Sequence, residues 1–151
     1  MTTSETASAT ATVTPALAGI QHVGLTVTDV ESSCEWYVRV LGLQRQFQES
    51  HRGSDHDGYA VVLGTADMSL NVGLDHHPRN DGEPFDATRT GLDHVCFQVT
   101  SVETLDDWAA HLESEGITHS GVYAMEGMPI SLLTFRDPDG IQLELIAFHR
   151  S

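Results

Sequence analysis

The chain has 151 residues, 40% of them apolar and 19% charged, enough for one domain with a proper hydrophobic core. Its formal charge is −15 and all seven basic side chains are arginine, a balance that repels nucleic acid and anionic membrane. No apolar run approaches the roughly 20 residues that span a bilayer, and two cysteines, Cys34 and Cys96, fit a reduced cytoplasmic protein better than a disulfide scaffold.

Residues 1–18 are rich in Thr, Ala and Ser and lack both the basic start and the apolar core of a secretory signal. They are expected to be a disordered tail, with one domain over 19–149. GIQHVGLTV at 19–27 is echoed by GLDHVCFQV at 91–99, and the frame holds from Gly19 and Gly91 to Trp36 and Trp108. The chain therefore contains a duplicated unit: module one at 19–75, a polar linker at 76–90 and module two at 91–149.

Each unit opens on a strand of period two. Val23, Leu25 and Val27 oppose His22, Gly24 and Thr26; Val95, Phe97 and Val99 oppose His94, Cys96 and Gln98. Thr28-x-x-Glu31 and Thr100-x-x-Glu103 then read as capping boxes. Helices follow, with apolar stripes Val30, Cys34, Tyr37, Leu41 and Val102, Leu105, Ala109, Leu112, ending at Gly42 and Gly116. Strands are expected at 43–50, 59–64 and 68–75, and again at 117–123, 130–136 and 141–148. The fold class is α+β, two βαβββ modules whose polar sheet faces surround something wet or functional.

Asp137-Pro-Asp-Gly140 is a turn signal leading into IQLELIAF, where parity puts Glu144 on the polar face between large aliphatic residues. A carboxylate buried there needs a cation or hydrogen-bond donors. Two histidines at repeat-related positions and one carboxylate are the ligand set of a 2-His-1-carboxylate site, so His22, His94 and Glu144 are the expected metal ligands. His51, His56, His76 and His77 lie in loop or linker and are weaker candidates, while His111, His119 and His149 read as surface residues. Trp36 and Trp108 read as helix packing.

These segments, with FRDPDGIQLEL, resemble the vicinal oxygen chelate superfamily (glyoxalase/bleomycin resistance protein/dioxygenase fold) over about 20–148. The resemblance implies sheets curled around a metal and substrate cleft, and assigns metal positions to His22, His94 and Glu144. It implies a divalent ion (Fe, Mn, Zn, Ni or Co), a small organic substrate with adjacent oxygens and a homodimer. The fourth family ligand position falls in MSLNVGLD, where Ser69, Asn71 and Gly73 share a face and none is a good ligand. Thr26 stands where glyoxalase I has an Arg, a lysine-free chain suits a phosphonate badly, and Thr134 replaces the Tyr of extradiol dioxygenases. Thr26, Asn71, Cys96 and Gln98 are expected to line the substrate pocket, and Tyr123 and Glu126 to be the catalytic groups. Glyoxalase-like or dioxygenase-like chemistry is the expectation; the alternative is metal-free sequestration of a cationic antibiotic of the bleomycin type, which the acidity suits.

Overall fold

A computed structural model describes residues 14–52 and 57–149. His56 and residues 1–13 of the expected tail lie outside them.

Module one runs β1 (Val23–Thr26), α1 (Val30–Leu41), β2 (Gln44–Ser50), β3 (Tyr59–Gly64) and β4 (Asn71–His76); module two runs β5 (His94–Gln98), α2 (Val102–Ser114), β6 (Tyr123–Ala124), β7 (Ile130–Arg136) and β8 (Gln142–Phe148). Each module is one four-stranded sheet, in the orders β1-β4-β3-β2 and β5-β8-β7-β6. The first strand of each module pairs in parallel with the last, and the other neighbours are antiparallel. Neither sheet closes, and the duplicated βαβββ architecture expected from the repeat is what the chain forms.

The alternation fixes two sheet faces. Leu25, Val61, Leu63, Val72 and Leu74 are buried beneath α1, and Leu133, Phe135, Leu143, Leu145 and Ala147 are buried on the corresponding face of module two. On the stripe of α1, Val40 is buried with Val30, Cys34 and Tyr37, while Leu41 is only half-buried.

The helix starts lie one residue later than the capping-box reading places them. Asp29 caps α1, its Oδ1 accepting from the Ser32 amide at 2.9 Å, and Ser101 caps α2, accepting from the Thr104 amide at 3.3 Å. Thr28 is engaged elsewhere: its amide and hydroxyl donate to Asp139 at 3.1 and 2.6 Å. Gly42 caps α1, whereas Gly116 follows the Glu115 cap of α2 at φ +70° and lets the Ile117 amide reach back to the Leu112 carbonyl at 2.9 Å.

The expected strand at 117–123 is reduced to β6. Ser120 takes over the pairing through its amide and its Oγ, both 2.9 Å from Thr134 backbone atoms, and Gly121 at φ +74° ends any regular ladder. Of three histidines read as surface residues, His149 is exposed as expected, whereas His111 and His119 are partly buried. The His111 ring meets the Val40 carbonyl at 2.9 Å, His119 bonds the Gly121 amide at 3.0 Å and His149 faces Ser131 Oγ at 2.9 Å. Trp36 packs edge-on to Tyr37 and against Phe135, as helix packing requires.

The modules are joined at the Asp137–Gly140 turn. Tyr37 Oη donates to Asp137 Oδ2 at 2.9 Å, while Asp137 Oδ1 accepts from the Asp139 and Ile141 amides at 3.0 and 2.8 Å. The linker docks on the same turn through the Phe85 amide and the Asp139 carbonyl. Burial raises the Asp137 carboxyl above its ordinary value, and the donors from Ile141 and Tyr37 oppose that rise. Tyr37→Phe leaves a buried carboxylate oxygen without its donor, and is expected to lower stability by about 1.5–3 kcal/mol in denaturant unfolding. The loss should be greater above the folded-state pKa of Asp137 than below it, because the protonated acid needs that donor less.

Candidate metal centre

Parallel pairing of β5 with β8 sets His94 opposite Gln142 and Cys96 opposite Glu144. His94 and Glu144 are thus diagonal neighbours on the open face, within reach of each other as long side chains. His94 Nε2 stands 3.7 Å from Glu144 Oε2. The other atom of each group is already engaged: His94 Nδ1 lies 2.7 Å from Asp93 Oδ1, and Glu144 Oε1 accepts from Gln142 Nε2 at 2.8 Å. An Nδ1–H held by Asp93 leaves the Nε2 lone pair aimed at a carboxylate oxygen. Two acceptors facing one space call for a proton or a cation between them, and a carboxylate behind a ligating imidazole is the usual support for a metal. The pair fits a divalent ion.

His22 repeats the motif without the charge, its Nδ1 lying 2.6 Å from Gln21 Oε1. His22, Asn71, His94 and Cys96 line one cavity of about 420 Å³, with Ile20, Val23, Leu70, Leu92, Val95 and Phe97 as its apolar wall. The register settles what module one can add. Val23 pairs with Val72 and Gly24 with Gly73, so His22 stands level with Asn71, as His94 stands level with Gln142. Glu144 then corresponds to Gly73, which has no side chain. Asn71 is buried, and its Nδ2 donates to the Met68 and Gln21 carbonyls at 2.7 and 3.3 Å. Its Nδ2 is thus spent on clamping the strand start, while its Oδ1 is buried without a hydrogen-bond partner.

The three expected ligands do not converge within the chain. Among the described residues, the one group of three whose ligand atoms all lie within 4.8 Å of one another is His51, Asp75 and His77. The structure joins His94 to Glu144 and sets His22 on the cavity that His94 lines, while Glu144 is not among the lining residues. Of the other pocket candidates, Thr26 borders a separate cavity of about 430 Å³ walled mainly by linker residues between Asn80 and Thr90, with Gly91 and Leu92 of module two. Gln98 shares an open-face row with Ile146, Leu132 and Tyr123. Glu126, in the β6–β7 turn, and Tyr123 are not among the residues lining the His22–His94 cavity. Asp75 escaped the sequence reading, although parity with Asn71 and Gly73 places it on the open face.

The chain belongs to the Glyoxalase/Bleomycin resistance protein/Dioxygenase superfamily, whose pattern it matches over residues 19–145. It is similar to a crystallised glyoxylase/bleomycin resistance protein/dioxygenase domain from Frankia sp. EAN1pec, at 30% identity and a TM-score of 0.77, covering 90% of this chain and 96% of that one. MhqA of Bacillus subtilis (strain 168), provisionally named a ring-cleaving dioxygenase, is 27% identical over 85% of this chain, which spans 40% of the length of that relative. The uncharacterized protein YaeR of Escherichia coli (strain K12) is also 27% identical, over 83% of this chain and 93% of its own. No helix among the described residues is long and apolar enough to cross a membrane.

Asp93 first, and Glu144 after it, raise the His94 imidazole above its ordinary pKa. A raised folded-state pKa contributes stability below the unfolded value that is lost as pH rises through the folded one. Asp93→Asn should therefore move the His94 NMR titration midpoint downward. A midpoint unmoved in that variant would show that Asp93 does not hold the ring.

Proposed function

We propose that the chain is a divalent-metal-dependent enzyme of the ring-cleaving dioxygenase type, acting on small aromatic molecules with adjacent oxygens. The observation that carries this reading is the facing of His94 Nε2 and Glu144 Oε2, each held from behind by Asp93 and Gln142. The likeness to MhqA supports the reaction type. The cavity wall supports the substrate: Ile20, Val23, Leu70, Leu92, Val95 and Phe97 make half of it apolar and it contains no Arg or Lys, which suits an uncharged ring better than a phosphonate. A glyoxalase-like isomerase is less well supported, because Gly73 supplies no carboxylate on module one.

His94 and Glu144 hold the ion, and His22 of a second copy of the chain is the third donor. Two features favour a homodimer. His22 does not close on the pair within one chain, and the open face leaves Phe47, Tyr123 and Phe148 exposed. A bound divalent ion supplies Lewis-acid polarisation of two substrate oxygens and, as Fe(II), access to dioxygen. The chain supplies the rest. Val95, Phe97 and Leu70 exclude water and Cys96 borders the substrate. Gln98 lies further along the open face, where Tyr123 on its row, with Glu126 in the next turn, would handle a proton on a substrate that extends beyond the cavity. An exposed free thiol at Cys96 fits a reducing cytoplasm.

Fe(II)-loaded protein is expected to consume dioxygen with catechols, and His94→Ala or Glu144→Ala should lower kcat/KM by ~100-fold or more. Mixing inactive His22→Ala and His94→Ala chains should restore about a quarter of the sites, since each mixed dimer keeps one intact set. No restoration would place all donors in one chain. No dioxygen uptake, with tight binding of a cationic glycopeptide by the metal-stripped chain, would replace the enzyme with a sequestering protein.

A further inference from the structure

The open face of module one carries a second set of ligands at its far end. Asp75 lies two residues beyond Gly73 on β4, opposite Ala60 and Thr26. Its ligand atom groups within 4.8 Å with those of His51 and His77, a set that includes neither His94 nor Glu144. His51 leaves β2 paired through its amide to the Gly58 carbonyl at 2.9 Å, and His77 leaves β4 beside the same glycine. The row His51–Gly58–His77 thus has no side chain in its middle. A Cβ at Gly58 would stand 2.3 Å from His51 Nδ1, so only glycine lets the two rings approach, at 4.7 Å between centroids. His51 Nε2 is 2.8 Å from Asp75 Oδ1, and both side chains are about four-fifths buried, at 17% and 22% exposure. His51 Nδ1 is buried with no hydrogen-bond partner. The ring is thus held on one side only and lies against a second imidazole.

From this geometry we propose that His51, Asp75 and His77 form a second divalent-metal site, separate from His94 and Glu144. Two imidazoles and one carboxylate take borderline ions such as Zn²⁺, Co²⁺, Ni²⁺ or Fe²⁺ and leave coordination positions open. The site ties the end of β2 to β4 and to the first residue past it. The competing account is a simple His51–Asp75 hydrogen bond beside a stacked ring, which binds no ion.

The test uses the full chain carrying His94→Ala and Glu144→Ala, stripped with chelator and titrated with Co²⁺. One equivalent should bind with a visible d–d band, and adding His77→Gln or Asp75→Asn should weaken binding at least ~tenfold. In the unsubstituted protein, Co²⁺ should broaden the His51 and His77 ring resonances together, a readout that needs no substitution. No Co²⁺ bound by the doubly substituted chain, or binding indifferent to His77→Gln and Asp75→Asn with both rings unbroadened, overturns the proposal. Either failure leaves the His94–Glu144 reading untouched, because the titrated chain lacks both residues and the broadening is read only at His51 and His77.

Discussion

Parallel pairing of the first and last strands of each module, with a strict alternation of faces, is the constraint on which the molecule depends. In module two, Leu143, Leu145 and Ala147 are fully or nearly fully buried, so Gln142, Glu144 and Ile146 have only the open face to occupy. A one-residue slip of β8 would turn the carboxylate into the apolar core. The register that buries the leucines is therefore the same one that brings Glu144 to His94.

The modules share an architecture and differ in chemistry by single positions. Gly73 stands where module two has Glu144, so module one offers an imidazole at its near end and no carboxylate beside it. Its acidic group is instead Asp75, one pleat further on, among His51 and His77. The buried contact that couples the modules is at the Asp137 carboxylate, which receives Tyr37 from one module and backbone amides of its own turn, beside the Thr28–Asp139 and His111–Val40 bonds. That contact anchors α1 near the start of β8 and so fixes one module against the other.

Much of this was legible in the sequence. Repeat spacing, strand alternation and helix stripes led to the βαβββ units, and parity put Glu144 on the open face. The helix starts were misplaced by one residue because Thr28 and Thr100 satisfy a local pattern that a long-range partner, Asp139, overrides for Thr28. The strand expected at 117–123 largely dissolved because Ser120 and Gly121 favour local pairing. The His51–Asp75–His77 group was hidden for a different reason. Its members fall in a strand and two loop-like stretches, and only the β2–β3–β4 register shows that a glycine leaves room between them.

The central claim is that His94 and Glu144 share a divalent ion. A crystal of the chain grown with Co²⁺ and measured on both sides of the cobalt absorption edge tests it directly. The account predicts an anomalous peak between His94 Nε2 and Glu144 Oε2, with a second imidazole, that of His22 from another copy of the chain, closing on it. Well-ordered side chains at both positions with no anomalous density between them would contradict it.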